Sequence, residues 1–230
     1  MHRPALILAA LAGLALAPRV TTAQETLNRP PSGFRRLFNG RSLNNWQGLI
    51  ELPKREKMTP DERREAQSKA DEEMKAHWSV ADGILVYDGK GQSLQTARDY
   101  GDFELYVDWK IQAKGDSGIY LRGTPQVQIW EDPVGSGGLY NNQKGPSKPL
   151  VKADKPVGEW STFFIRMVGD KVTVKLNDQV VVDNTPLENY WDRSKPLPEK
   201  GPIELQHHGN RLEFRNIFIR ELQSGAAAGG

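Results

Sequence analysis

Phe103-Glu104-Leu105-Tyr106-Val107-Asp108-Trp109-Lys110-Ile111 is the stretch that decides the fold: every odd position is apolar and every even position carries a polar group. An extended chain places residues i, i+2 and i+4 on one side, so this run reads as a strand with one buried face. The same period of two recurs downstream. Ile119 and Leu121 alternate with Gly118, Tyr120 and Arg122, and Val127 and Ile129 alternate with Gln126, Gln128 and Trp130. Val172, Val174 and Leu176 alternate with lysine and threonine, and Ile203 and Leu205 with Glu204, Gln206 and His208. Asp82-Gly83, Gly169-Asp170 and Asn177-Asp178 supply turn chemistry between such runs. Many short half-buried strands joined by tight turns predict two packed antiparallel sheets, an all-β sandwich.

The residues before Trp78 break this pattern. Lys54 to Ala76 is rich in charge, and Thr59-Pro60-Asp61-Glu62 opens a helix: Thr59 caps, Pro60 fits the first turn and Glu62 completes a capping box. One inserted surface helix, within an insertion spanning 54–77, is the expectation. Its thin apolar stripe of Ala66, Ala70 and Met74 suits a solvated face. Glu131 to Glu159 has no clear period and is rich in Gly, Pro, Asn and Lys, a length of loop that is usually functional or disordered.

Residues 1–23 have the order of a secretory signal peptide: basic Arg3, an apolar run from Ala5 to Ala17, and small residues ending at Ala23. The expected organisation is a signal peptide over 1–23, a flexible lead-in over 24–32, one domain over 33–222 and a frayed tail over 223–230. Export to the periplasm or the extracellular space follows, with no membrane span after cleavage. The chain has 31 Lys and Arg against 29 Asp and Glu; without Arg3 and Arg19 the balance is neutral. That argues against nucleic acid, whose electrostatic attraction needs a basic footprint. The absence of cysteine rules out disulfides and thiolate chemistry.

If the apolar positions fill the core, one sheet presents Tyr106, Asp108, Tyr120, Arg122, Gln126, Gln128, Trp130, Glu204, Gln206 and His208 outward. Aromatic rings and amides stack on sugar C–H faces and hydrogen-bond to hydroxyls, so a carbohydrate is the partner this face suits. Tyr106, Tyr120, Gln126, Gln128, Trp130 and Gln206 are the candidate binding residues. Cross-strand pairing that merely stabilises a sheet explains the same residues equally well. Asp108, Arg122 and His208 are the candidate catalytic groups, against a reading of Asp108 with Arg122 as a structural pair. Asp108, Glu131 or Asp132 with His208 would also be the donors for a divalent ion, whose identity the sequence leaves unknown.

A family likeness rests on Trp78-Ser79-Val80, Asp82-Gly83-Ile84-Leu85 and Gly115-Asp116-Ser117-Gly118-Ile119-Tyr120-Leu121-Arg122-Gly123. Pro125-Gln126-Val127-Gln128-Ile129-Trp130, Gly201-Pro202-Ile203-Glu204-Leu205-Gln206-His207-His208-Gly209 and Phe214-Arg215-Asn216-Ile217 continue it. In that order these segments resemble the 3-keto-disaccharide hydrolase domain family, from about Gly33 to Leu222. The resemblance implies a concanavalin A-like jelly roll and cleavage of glycosides oxidised to a ketone at C3. It departs at Gln126, where many relatives have a carboxylate, and at His207, where Asn or Asp is expected. A ketone at C3 acidifies the proton at C2, so elimination needs a base, an acid and an electrophile; Arg122 suits the enolate, and Asp108 and His208 the proton transfers. The competing readings are a non-catalytic carbohydrate-binding module on the same fold and a protein adaptor that displays the helix.

Overall fold

In a computed structural model the described residues are 27–223, so the proposed signal peptide and the end of the tail lie outside them. Thirteen strands and two helices follow one another from Arg35 to Glu221. β1 (Arg35–Arg36) and β2 (Trp46–Gly48) precede α1 (Leu52–Arg55) and α2 (Pro60–His77). Then come β3 (Trp78–Ala81), β4 (Ile84–Tyr87), β5 (Leu94–Thr96), β6 (Phe103–Ile111), β7 (Asp116–Leu121) and β8 (Thr124–Trp130). β9 (Ser161–Val168), β10 (Lys171–Leu176), β11 (Gln179–Pro186), β12 (Glu204–Leu205) and β13 (Leu212–Glu221) complete the described residues.

Two antiparallel sheets form. One has eight strands in the order β11-β10-β9-β6-β13-β4-β3, with β1 also on β13; the other has five, β2-β5-β12-β7-β8. The alternation seen in the sequence is the physical basis of the pair. Leu105, Val107 and Trp109 of one sheet meet the core shared with Ile119, Leu121, Val127, Ile129 and Leu205 of the other, all at most 3% exposed. Each such burial contributes about 1.5–3 kcal/mol.

The turns follow the predicted chemistry. Asp82 and Gly83 (φ 51° and 79°) and Asn177 and Asp178 (49° and 67°) are two-residue hairpin turns with both residues left-handed. Arg122 and Gly123, between β7 and β8, form a third, with φ of 55° and 67°. Thr59 caps α2 in a capping box with Glu62, as expected.

Two segments make contacts beyond those the sequence indicated. The described part of the lead-in is anchored: Asn28 and Asn216 exchange backbone-to-side-chain bonds of 2.7 and 3.0 Å, and Asn28 Nδ2 donates to Gly83 O at 2.8 Å. The positive φ of Asn216 (50°), at a bulge in β13, leaves its N–H free for this exchange. Helix α2, in turn, is more than a solvated face. Asp71 Oδ1 accepts from Gly48 N at 2.9 Å, and Gln67 Nε2 donates to Gly48 O at 2.9 Å, so the helix covers the exposed edge of β2. Gly48 allows the approach; a Cβ there would lie 2.0 Å from Ala70 O.

The other edge of the five-stranded sheet is covered by the long loop. Leu139 bridges to Val127, Gly137 N donates to Gln128 O at 2.8 Å, and Tyr140 N to Gln126 O at 3.1 Å. The stretch without period therefore returns to β8 through one bridge and a few backbone hydrogen bonds.

Candidate active site on the five-stranded sheet

The register of the five-stranded sheet lines up one row of polar side chains across all its strands. Gln47 is opposite Gln95, Gln95 opposite Glu204, Glu204 opposite Tyr120, and Tyr120 opposite Gln126. Directly paired residues share a face, and their chain neighbours Leu94, Leu205, Ile119 and Val127 fill the core. The row therefore projects away from the core. It is nonetheless shielded, with Gln95, Glu204 and Gln126 at 0%, 6% and 3% exposure. The ring of Tyr190 stands edge-on to Tyr120 at 6.5 Å, and the indole of Trp191 donates to Gly123 O. Glu51, just before α1, is close enough to act on the charge of both Glu204 and Tyr120.

Glu204 is the electrostatic centre of this row. Burial pushes its carboxyl up to about 7, opposed by a hydrogen bond from Ser93 and reinforced by Glu51. Ser93 Oγ in turn lies 2.9 Å from His207 Nδ1 and accepts from His207 N at 3.0 Å. Burial, and then the neighbouring His208, lowers the pKa of the His207 imidazole. Tyr120 is raised, first by desolvation and then by Glu204, which keeps its phenol protonated and able to donate.

A second chain of contacts runs along β8 and β7. Gln126 Nε2 donates to Gln128 Oε1 at 2.6 Å, and Gln128 Nε2 to Asp116 Oδ1 at 2.6 Å. Asp116 Oδ2 is 3.5 Å from His208 Nδ1. Gly118 keeps the floor open, since a Cβ there would lie 2.2 Å from Gln126 Oε1. Among the described residues, Gln95 Oε1, Gln126 Oε1 and Gln206 Oε1 are buried acceptors with no hydrogen-bond partner. Buried acceptors left without partners are costly, and sugar hydroxyls would satisfy them.

Of the residues the sequence nominated, Tyr120, Gln126, Gln128, Trp130 and Gln206 belong to this sheet and His208 flanks it. Three others do not join them. Tyr106 and Asp108 are on β6, in the eight-stranded sheet, on the side facing away from the core. Tyr106 packs against Phe34 and Phe164 at 5.2 and 5.0 Å. Asp108 accepts from Thr162 Oγ1 at 2.7 Å, Asn216 Nδ2 at 2.8 Å and Arg215 Nε at 3.2 Å, tying β6 to β9 and β13. Alternation reports which side of its own sheet a residue faces, and it does not report which sheet; the chain changes sheets between Ile111 and Asp116.

Arg122 stays apart from the row for a different reason. It lies in the β7–β8 turn, where strand parity no longer applies, and is 3% exposed. Its guanidinium pairs with Asp102 and donates to the carbonyls of Gly101, Gly169 and Pro198 at 2.9, 3.0 and 3.3 Å. Those acceptors occupy it as a staple between loops. Of the weighed ligands Asp108, Glu131, Asp132 and His208, Asp108 lies on the other sheet, and among the described residues no group of three or more His, Asp or Glu is arranged to hold a metal ion.

Several members of the site were missed. Glu204 had the right parity but was passed over for Asp108, and Asp116 shares the parity of Tyr120. Ser93, Gln95 and Gln47 lie in runs too short to show a period, and Tyr140 and Tyr190 lie in loops. His207 was set aside by parity, but the β12 ladder ends at Gln206 N to Gly118 O, so parity does not extend to it.

Fold and face together define a jelly-roll β-sandwich of the glycosidase and lectin kind. The chain belongs to the 3-keto-α-glucoside-1,2-lyase-like domain family, whose profile matches residues 33–220. It is 23% identical to a 3-keto-disaccharide hydrolase of Bacteroides thetaiotaomicron, over 83% of this chain and 79% of that protein. A crystal structure of a candidate glycosyl hydrolase from Parabacteroides distasonis superposes with a TM-score of 0.61 at 27% identity, covering 84% of this chain and 85% of that one. A non-specific endo-β-1,3(4)-glucanase of family GH16 shares the fold at 14% identity, with a TM-score of 0.52 over 84% of this chain and 94% of that one. The family and the jelly roll expected from the sequence are thus both borne out.

Proposed function

We propose that the protein cleaves glycosides carrying a ketone at C3, and that Glu204 is the acid–base group. The observation that carries this reading is a carboxyl held near neutrality on a sheet face lined with amides and a protonated phenol. A pKa near the working pH lets one group both take and return a proton. A module that only binds sugar has no use for such a group.

The reaction needs little else. Glu204 removes the C2 proton; the C–H electrons form a C1–C2 double bond conjugated with the ketone, and the C1–O bond breaks with its pair on the departing oxygen. The carboxyl returns its proton to that oxygen. Water then adds at C1, giving a proton to Glu204, and C2 regains a proton from the carboxyl. Tyr120, directly across from Glu204, donates a hydrogen bond to the enolate oxygen without giving up its proton, because its raised pKa disfavours the phenolate. His208 sits beside Asp116, which is ~13 Å along β7 from Tyr120 at ~3.3 Å per residue, too far to share one bond with Glu204. With Asp116 behind it, His208 suits a sugar hydroxyl. The unpartnered oxygens of Gln95, Gln126 and Gln206 suit the same task.

The basic, apolar and small-residue order of residues 1–23 supports export as the setting in which this happens. The test of the chemistry is cleavage in deuterium oxide. Elimination followed by addition places one solvent deuterium at C2 of the product, beyond that acquired by substrate left without the protein. Product without it would reject the mechanism.

A further inference from the structure

We infer that the cavity between Trp130 and Tyr140 is the subsite for the leaving group, and that it takes a single hexose ring. This rests on the reading of Glu204 as the acid–base group and extends it to specificity. The cavity measures about 330 Å³ and opens at the β8 end of the polar face. It is continuous with that face. Gln128, which links Gln126 to Asp116, forms part of its wall, and Tyr140, in the loop beside β8, is tied to the same strand through its N–H to Gln126 O.

The walls have the chemistry of a sugar site. Trp130 is half-buried, and its indole is fixed by a hydrogen bond from Nε1 to Gly135 O at 2.8 Å. The turn behind it is fixed too, with Ser136 Oγ 3.1 Å from both Trp130 N and Trp130 O, and Ser136 N bonded to Asp154. A ring held in this way presents a pre-set apolar surface and loses little freedom on binding. Tyr140 is 47% exposed, an aromatic left open at the mouth. Asn141 and Ser147 line the same space and supply hydrogen-bonding groups. Aromatic surface beside amide and hydroxyl groups fits a pyranose, which has C–H faces and equatorial hydroxyls. The volume is at the low end for ligand pockets, which suits one ring.

The experiment compares two substrates that differ only in the leaving group, a 3-keto-disaccharide and the methyl 3-keto-glucoside. Trp130→Ala is expected to raise KM for the disaccharide about tenfold, in keeping with the loss of one aromatic contact. It should leave kcat/KM for the methyl glycoside within about twofold. Ser147→Phe, which adds bulk to the cavity from an exposed loop position, should do the same without touching the core. Equal losses on both substrates, or no loss on the disaccharide with either variant, would overturn the subsite. If the unaltered protein cleaves neither substrate, the chemical reading fails, and glucose binding to the parent and to Trp130→Ala, followed by titration calorimetry, decides the cavity alone. Binding unchanged by that substitution would overturn it.

Discussion

Burying a carboxyl beside a second one raises the energy of its ionised form, and Glu204 carries that burden with a hydrogen bond from Ser93 as the offset. Its folded pKa is above its ordinary value of 4.5, so the contribution to stability is full below about pH 4.5 and is lost as the pH rises through about 7. Glu204→Gln is therefore expected to match the parent in urea denaturation at pH 4 and to exceed it by up to about 3 kcal/mol at pH 8. The same substitution should lower turnover of a 3-keto-glycoside by about 10²–10⁴. In the parent, kcat/KM should rise about tenfold per pH unit below 7 and level off above it, as ionisation of the base demands. A flat profile across pH 5–8 would remove Glu204 from the chemistry. Arg122 is expected to behave in the opposite way. Arg122→Met leaves the Asp102 carboxylate without its partner and should cost on the order of 3 kcal/mol, seen in the denaturation midpoint. The folded variant should keep its kcat. These two residues also mark what the sequence could convey. Both were visible as polar positions in alternating runs, yet one is in a strand and the other in a turn, and only the backbone torsions separate them.

At the scale of elements, the edges of the five-stranded sheet are the informative places. β2 presents Gly48 to α2, and the backbone contact between Gly48 and Ala70 leaves no room for a side chain. Gly48→Val should push the helix away, break the bonds to Asp71 and from Gln67, and lower the thermal midpoint; hydrogen exchange would locate the loosening in α2 and β2. An unchanged exchange pattern would mean that the helix does not cover this edge. The helix itself was legible, because capping and charge in its first turn are local signals. Its partner was not, since an isolated glycine in a three-residue strand carries no period. The long strands were equally legible; β6 and β10 coincide with the alternating runs from which they were read. The loop from Glu131 to Glu159 gave no period, yet part of it pairs with β8, because that pairing is made by backbone atoms that composition does not report.

For the whole molecule, alternation was enough to predict a sandwich, but the assignment of strands to sheets required the chain's crossing between β6 and β7. That crossing explains why the predicted face mixed two surfaces. Its aromatic and amide members on β7 and β8 come together, while Tyr106 and Asp108 lie on the far side of the core. The eight-stranded sheet uses Asp108 to hold three strands and the anchored lead-in near Asn216, so Asp108→Asn should lower stability by about 1–3 kcal/mol in chemical denaturation and leave turnover intact. In the proposed function the unpartnered oxygens and the raised carboxyl of the five-stranded sheet serve the ligand. The most direct test of that division is monosaccharide release from a 3-keto-disaccharide beside its unoxidised form, with the parent and with Glu204→Gln. Release from the keto form alone, abolished in Glu204→Gln, is the result predicted. Equal release from both sugars, or full activity in Glu204→Gln, would contradict it.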